Sequence, residues 1–491
     1  MKMQEMSKRE KPSKTVIAQF GEGNFLRAFC DHMVDIANEA KIFSGGVAII
    51  KPISFGNLDA LREQNLQYSV ILRGLENGEK VVGHRLVSCI TEAIDPFSDY
   101  IAYENLAKNV DLRFVISNTT EAGIVFDAAD DYESKPANTF PGKLTQFLYT
   151  RFTHFDGDTT KGLILLPCEL IEKNGAKLRE CVMQYITLWN LPSEFAAWLE
   201  SACIFCNTLV DRIVSGYPAE EAEDLQQNLL GYADKLMVVG EPFAFWAIES
   251  DRFREVQKEF PLDRAGLPVV FCENLRPYRD RKVRLLNGGH TASVLAAFLT
   301  GCDTVGQMMA DDTCNAFLKQ VIFDEIAPVV ALPPDEVADF AYSVLERFEN
   351  PFIRHELLSI SLNSVSKWKA RVLPSLKDYF AKNGVLPKGL CFSLAALASF
   401  YRSTTQGGES LIGKRAAESY PIRDDVHVLA FFKEHSAKSN SEFARLLLQN
   451  EHFWGEDLTK IGDFLPYVVT YLDEIAKFGM KVALLSVTEG V

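Results

Sequence analysis

The sequence predicts an α/β protein in which an N-terminal doubly wound sheet domain is followed by a mostly α-helical C-terminal domain. Three observations support this prediction. The chain of 491 residues is longer than one hydrophobic core usually supports. Its first half alternates short β-rich apolar runs with amphipathic stretches, whereas after about residue 275 long helical patterns follow one another.

Five apolar runs in the first part of the chain are typical of buried strands: TVIAQF (15–20), GVAII (46–50), LRFVISN (112–118), GLILLPC (162–168) and PVVFC (268–272). Between the first two, apolar residues recur at helical spacing at Leu26, Phe29, Met33 and Ile36. Strand, helix and strand in this order form a βαβ unit, and its repetition predicts a largely parallel sheet.

The second half contains helical patterns such as HTASVLAAFL, DEVADFAYSVLERF and FSLAALASFYRS, with few strand candidates. No internal repeat or low-complexity linker separates the two textures. We therefore predict domains over residues 1–268 and 269–491, joined by a packed hinge and not by a flexible tether.

Composition excludes several classes of function. The formal charge of −15 disfavours nucleic acid as the main partner, because phosphate binding needs clustered Lys and Arg. The charged N-terminus lacks an apolar signal segment and no long apolar run follows, so we expect a soluble cytoplasmic protein with no membrane partner. An anionic small substrate would then need a locally basic pocket. Oligomeric state is not predicted.

No metal site is expected. The ten cysteines are typical of reduced, mostly buried thiols, and the close pair Cys203 and Cys206 lacks a second pair. The eight histidines show no ligand spacing.

The segment QFGEGNFLRAF places Gly21 and Gly23 after the first predicted strand and at the start of the first helix. A dinucleotide pyrophosphate binds at such a place in Rossmann-type domains, because the backbone can approach it and the helix N-terminus supplies N–H donors. The fingerprint is incomplete, since Leu26 replaces the third glycine. Lys51 stands where NAD enzymes often carry an acid, which leaves cofactor choice open. The alternative is a plain tight turn.

A second loop, VISNTTEAGI, follows the third predicted strand. Asn118 and Thr119 could line the cofactor at the carboxyl edge of the sheet, where open α/β sheets bind ligands. Capping of the following turn is the alternative.

The segment KVRLLNGGH carries an amine, an amide and an imidazole at Lys282, Asn287 and His290. Hydride transfer at a carbonyl needs a proton donor or acceptor, donors to the developing alkoxide, and groups that hold the substrate. In an α-helix these residues lie at roughly 0°, 140° and 80°, on one side. The alternative is a surface lysine, a capping asparagine and a core histidine.

Arg279 falls in the same arc, at roughly 60°, and could hold a substrate carboxylate in a fork of two hydrogen bonds. Asn207, in FCNTLVDRI, follows a β-like run. From the residues alone, a turn with a surface ion pair between Asp211 and Arg212 explains that segment slightly better than a site role does.

Together FGEGNFLRAF, CNTLVDRI and KVRLLNGGH resemble the polyol-specific long-chain dehydrogenases, the mannitol dehydrogenase family, in segments spread over nearly the whole chain. The resemblance implies that Lys282 is the general base, and the acid in reduction. It implies that Asn287 and Asn207 stabilise the oxyanion and that His290 binds substrate. An NAD loop is implied at Gly21, Glu22, Gly23, Asn24 and Phe25.

Other segments, including VISNTTEAGI, FPGKLTQFLYTRF and GLILLPCELIEKNG, are most similar to the branch of the family that reduces keto-hexuronates. The implied reaction is the reversible, NAD-dependent reduction of D-tagaturonate to D-altronate in hexuronate catabolism. Polyol-oxidising members carry a carboxylate three residues before the lysine, whereas this chain has Arg279, which favours an acid substrate. The family usually selects NAD with an acidic residue, and Lys51 does not supply one at the corresponding position.

Three alternatives remain open: a fructuronate reductase, a mannitol-type polyol dehydrogenase, and a non-catalytic NAD(H)-sensing protein. In SKWKARVLP a further cation could face the substrate, with Lys367 as the candidate, although Lys369 and Arg371 are not separated from it by the sequence.

Overall fold

The computed structural model describes residue 6 and residues 9–120, 122–402, 405–407 and 410–489. The chain divides into two compact units, Met1–Leu275 (unit 1) and Arg276–Val491 (unit 2). The boundary predicted between residues 268 and 269 stays a prediction; in the structure the strand Val269–Cys272 pairs with a strand of unit 1.

Unit 1 is built on strands. Its described residues form β1 (Thr15–Phe20), β2 (Gly46–Ile50), β3 (Tyr68–Glu76), β4 (Glu79–Val87), β5 (Ile90–Ile94), β6 (Phe114–Ser117), β7 (Ile164–Pro167), β8 (Ile204–Phe205), β9 (Asn207–Asp211), β10 (Val214–Gly216), β11 (Val238–Gly240), β12 (Phe245–Glu249) and β13 (Val269–Cys272). The central sheet has the order β5-β2-β1-β6-β7-β8, and all of its neighbouring strands are parallel. This confirms the predicted doubly wound sheet.

Helices connect these strands. The first runs continuously through Asn24–Leu26, the π-helical turn Arg27–Asp31 and His32–Glu39, so the predicted helix between β1 and β2 is confirmed. The other helices are Asp59–Glu63, Tyr100–Ala107, Phe140–His154, Asn174–Leu188, Ser193–Ala202, Ala222–Asp224 with its π turn Leu225–Leu230, and Phe253–Glu259; the 3₁₀ turns are Thr159–Lys161 and Leu262–Ala265.

Both faces of the central sheet are buried. Alternate residues of a strand point to opposite faces, so Ile17 of β1 packs in one core with Phe29 of the first helix. Phe20 packs in the other core against Phe147, at a ring-centroid distance of 6.1 Å. Burial on both faces explains why β2 is a continuous apolar run and why β1 is apolar except at Thr15 and Gln19.

Some strands differ from the prediction. The run 268–272 forms a strand only over Val269–Cys272, and it lies in a separate sheet of order β13-β12-β9, where only Val269 is fully buried. A third sheet, β10-β11-β3-β4, was not predicted. Most of β4 is exposed or half-exposed, so it lacks the apolar run that marks a buried strand.

Unit 2 is mostly helical, as predicted. One continuous helix passes through Arg276–Arg281, the π-helical stretch Lys282–Gly288 and Gly289–Thr300. The other helices are Val305–Ala310, Asp312–Lys319 with its π turn Gln320–Ile326, Pro334–Phe348, Leu357–Ile360, Ser364–Arg371, Leu373–Asn383, Lys388–Arg402, Val426–His435, Asn440–Leu448, Glu451–Trp454, Phe464–Phe478 and Met480–Glu489; the 3₁₀ turns are Ala327–Val329 and Leu458–Lys460.

Unit 2 also contains a small antiparallel sheet that was not predicted: β14 (Thr405–Gly407), β15 (Ser410–Arg415) and β16 (Glu418–Ile422). Within the described residues of the chain, no helix has the length and apolar character required to cross a bilayer.

Candidate active site

The glycine loop begins where β1 ends. Gly21 has a φ of +132°, and its N–H donates to the carbonyl of Ile50 at 3.1 Å. A Cβ on Gly21 would lie 3.1 Å from the backbone oxygen of Asn118 and from Leu26 Cδ1. Glycine is therefore required here both by the backbone conformation and by the close approach of the β6 loop.

Gly23, by contrast, is not required by its neighbours. It is exposed, it directly precedes the helix that begins at Asn24, and a Cβ added to it would meet nothing within 4 Å. The buried Arg27 holds this turn by donating to Glu22 O at 3.1 Å and to Asn24 Oδ1 at 2.6 Å. Open space beside a helix N-terminus fits the pyrophosphate of a dinucleotide.

The remaining two residues of the loop are placed differently. Burial raises the pKa of the Glu22 carboxyl, although its own backbone N–H and the charge of Lys51 oppose this. Phe25 stacks on Phe29 at 5.0 Å and packs against the core of unit 1.

Lys51 has a carboxylate partner that the sequence did not reveal. Its Nζ lies 2.6 Å from Asp95 Oδ2, and the two side chains are only 4% and 15% exposed. The ammonium also donates to the carbonyl of Gly56 at 3.0 Å. Asp95 directly follows β5, the neighbour of β2 in the central sheet. The charge of Lys51 is therefore neutralised within the fold.

Asn118 and Thr119 lie at the carboxyl end of β6, as expected. Asn118 Nδ2 donates to Cys168 O at 2.8 Å. The N–H and the hydroxyl of Thr119 both donate to Oε1 of the buried Glu169 at 3.0 Å, while Ser117 donates to Oε2 at 3.1 Å. Burial raises the pKa of Glu169 despite these bonds. Sequence reasoning missed Glu169, whose only signal is its position directly beyond β7.

Asn207 is held by two partners in unit 1. Its Oδ1 accepts from the N–H of Ala176 at 3.0 Å, in the first turn of the helix Asn174–Leu188. Its Nδ2 donates to Glu249 Oε1 at 2.6 Å, and Glu249 Oε2 accepts from Leu275 N at 2.6 Å. Asn207 begins the strand β9 and does not lie in a turn. In the described part of the chain the second N–H of this amide has no partner.

Lys282 and Asn287 lie in the π-helical stretch of unit 2. In an α-helix residues five apart are rotated by roughly 140°. A π turn joins residues i and i+5, so it reduces this angle and brings both side chains nearer to one face. Both residues are half-buried. Such single π turns occur often at functional sites.

His290 lies one turn beyond Asn287. Its ring stacks on Phe348 with centroids 3.8 Å apart and an interplanar angle of 3°, and the ring of His355 meets it edge-on at 5.5 Å. Its Nε2 is buried and has no hydrogen-bond partner among the described residues. A buried polar atom left in this state is suited to a ligand.

The cations that the sequence singled out in unit 2 lie in different surroundings. Arg284 pairs with Asp378 at 2.5 Å, and Arg281 is buried over the ring of Phe340 at 4.4 Å. Arg279 is half-buried in the helix Arg276–Arg281. The positive charges of Lys367 and Arg371 reach His290, whose pKa they help to lower, whereas the amine of Lys369 lies beside Gly455.

In the described part of the chain, no group of three or more His, Cys, Asp or Glu side chains is placed to hold a metal ion.

Comparisons with known proteins agree with these features. The model of the mannitol dehydrogenase Rossmann domain matches residues 15–262, and that of the mannitol dehydrogenase C-terminal domain matches residues 274–476. The chain is 44% identical over 471 residues to the altronate oxidoreductase of Bacillus subtilis (strain 168), covering 95% of this chain and 94% of that protein. It is 41% identical to the altronate oxidoreductase of Yersinia enterocolitica, covering 98% and 99%.

Two solved structures share the fold. D-sorbitol dehydrogenase in its substrate-free form matches with a TM-score of 0.77 and 21% identity, covering 97% of both chains. Pseudomonas fluorescens mannitol 2-dehydrogenase, in a ternary complex with NAD and D-mannitol, matches with a TM-score of 0.63 and 20% identity, covering 98% of this chain and 97% of that chain. The chain thus belongs to the mannitol dehydrogenase family, with the domains of that family matching both of its halves.

Proposed function

We propose that this protein catalyses the reversible, NAD-dependent reduction of D-tagaturonate to D-altronate, a step of hexuronate catabolism. The observation that carries the proposal is the near full-length identity, 41–44%, with proteins named altronate oxidoreductase. Membership of a dehydrogenase family and the Lys, Asn and His side chains of the candidate site support the chemistry.

Reduction adds a hydride to the carbonyl carbon and a proton to its oxygen. When bound, the nicotinamide supplies the hydride. Lys282 donates the proton to the alkoxide oxygen and takes it back in the oxidative direction. Asn287 and Asn207 donate N–H groups to the developing oxyanion, and His290 orients the substrate through its buried Nε2.

The glycine loop supports a dinucleotide cofactor, because Gly23 leaves open space beside the first N–H groups of a helix. We infer that NAD is preferred to NADP. The 2′-phosphate of NADP needs a cation that is free to bind it, whereas Lys51 is paired with Asp95.

Arg279 and Lys367 are our sequence-based candidates for holding the substrate. Burial, and then the charge of Arg371, lower the pKa of the Lys367 ammonium. A cation that is destabilised in this way gains from an anionic ligand.

Oxidation of NADH tests the proposal. The panel is D-tagaturonate, D-fructuronate and the neutral ketose D-fructose, each repeated with NADPH. We expect the highest kcat/KM for D-tagaturonate with NADH. A higher kcat/KM for D-fructuronate would identify the sister activity, equal rates with D-fructose would indicate a polyol dehydrogenase, and binding of NADH with no turnover of any substrate would indicate a sensing protein.

A further inference from the structure

Several basic side chains lie around His290. The pKa of its imidazole lies well below the ordinary value, first because the ring is buried and then because of four neighbours: His355, Arg347, Arg371 and Lys367. Each of the four neighbours lowers the pKa of the imidazole, as burial does. Two of these neighbours, Lys367 and Arg371, are cations beside a buried ring, and their charges favour an anionic ligand.

Arg371 is brought to this place by backbone packing. It ends the helix Ser364–Arg371, and its carbonyl oxygen would lie 3.0 Å from a Cβ on Gly288, so the glycine permits the approach. Its Nη1 lies 3.5 Å from Thr291 Oγ1, and that hydroxyl donates to Asn287 O at 2.8 Å. The guanidinium thus sits beside the turn that carries the amide assigned to the oxyanion.

Neither Arg371 nor Lys367 forms an ion pair with any residue in the described part of the chain. They lie four residues apart on one helix face, and Lys367 Nζ donates to the carbonyl of Ile360 at 3.0 Å. Burial lowers the pKa of both groups. Arg284, in contrast, has its own carboxylate in Asp378. The charge of Asp424 acts on Lys367 without forming an ion pair with it, so an anion that binds both half-buried cations would stabilise them.

We propose that Arg371 binds the carboxylate of the keto-hexuronate substrate and so separates acid substrates from neutral ketoses. The inference rests on the proposed function and names the residue that recognises its substrate class. A guanidinium can hold a carboxylate through two parallel N–H bonds, while Lys367 adds a point charge from the same face. Arg279 is the competing candidate for this carboxylate.

The test compares two substrates that differ at one group: D-tagaturonate, and D-tagatose, in which CH₂OH replaces the carboxylate. For Arg371→Gln we expect KM for D-tagaturonate to rise by about 10- to 100-fold, the size of one lost charge-assisted contact. KM for D-tagatose and the Kd of NADH should change by less than about threefold. Arg371→Lys should recover part of the loss, because it keeps the charge but loses the fork.

Lys369→Gln is the matched control, since it removes a charge from the same helix on the side beside Gly455 and should leave both substrates unaffected. Thermal unfolding of each variant guards against a folding defect, with Arg371→Lys as the second variant. Equal losses for both substrates would show a structural role and overturn the proposal. A rise confined to the Kd of NADH would assign the anion to a cofactor phosphate and overturn it as well.

Arg279→Gln decides between the two arginines: a loss specific to D-tagaturonate in that variant, with none in Arg371→Gln, would also overturn the proposal. If the wild-type enzyme prefers D-fructuronate, the proposed function fails but the Arg371 inference is still tested, with D-fructuronate and D-fructose as the pair. Wild-type turnover of neutral ketoses alone would overturn both.

Discussion

Removal of the carboxylate that neutralises Lys51 tests the account of cofactor choice. In Asp95→Asn, Lys51 loses a charged partner at 2.6 Å and keeps the carbonyl acceptors of Ser54 and Gly56. At an effective dielectric constant of about 20 this attraction is about 6 kcal/mol, of which desolvation of the two ions offsets a large part. Since both side chains are largely buried, we expect the free energy of unfolding to fall by about 3 kcal/mol.

Two assays measure the effect. Guanidinium denaturation gives the change in stability, and kcat/KM with NADH and NADPH gives the change in cofactor preference. The unpaired cation should raise the NADPH to NADH ratio by about tenfold, which corresponds to about 1.4 kcal/mol. Asp111→Asn is the matched control, because the Lys14–Asp111 pair has side chains 62% and 37% exposed and should cost less than about 1 kcal/mol.

The roles given to the Lys51–Asp95 pair would be refuted if Asp95→Asn were no more destabilising than Asp111→Asn and left the cofactor ratio unchanged. In that case the ion pair would be neither a structural element nor the reason for a preference for NAD.

Three further predictions concern the loop, a buried acid and the lysine. Gly21→Ala should lower the free energy of unfolding by about 1–3 kcal/mol, because the φ of +132° and a contact at 3.1 Å oppose a side chain at this position. Gly23→Ala should keep the melting temperature, because a Cβ there meets no neighbour, and should weaken NADH binding at least tenfold in a fluorescence titration. Burial raises the pKa of Asp31 from 3.8 to about 7, so the stability that depends on its protonated form is complete below pH 4 and is lost as the pH rises through 7. In urea denaturation, the stability of Asp31→Asn relative to the wild type should therefore increase by up to about 4 kcal/mol between pH 4 and pH 8. A stability difference that stays constant over this pH range would contradict the prediction. Lys282→Ala should bind NADH normally and lose turnover by orders of magnitude, with partial rescue by higher pH or an added amine; unchanged turnover would remove Lys282 from the mechanism.

Much of the fold was predictable because its strongest patterns are local. β1 and β2 match the predicted bounds, since they are apolar runs buried on both faces. The edge strand β8 has only two residues and β4 faces solvent over most of its length, so neither carries a distinct apolar signal.

For the candidate site, the residue types could be predicted but their partners could not. Lys51 departed from the expected motif, yet Asp95, which neutralises it, lies on the loop after another strand. The amide of Asn207 is held by Glu249, 42 residues later in the chain. No local spacing encodes either contact.

By itself, the sequence determined the alternation of strands and helices, the glycine turn after β1 and the polar side chains Lys282, Asn287 and His290, because periodicity and backbone permissiveness act over a few neighbouring residues. Tertiary structure decided the π-helical turn that reorients Lys282 and Asn287, and the ion pair at Lys51. It also decided that the charges of Lys367 and Arg371, and not that of Lys369, act on His290. These features depend on which distant residues pack together, and burial then sets how strongly each charged group interacts with its neighbours.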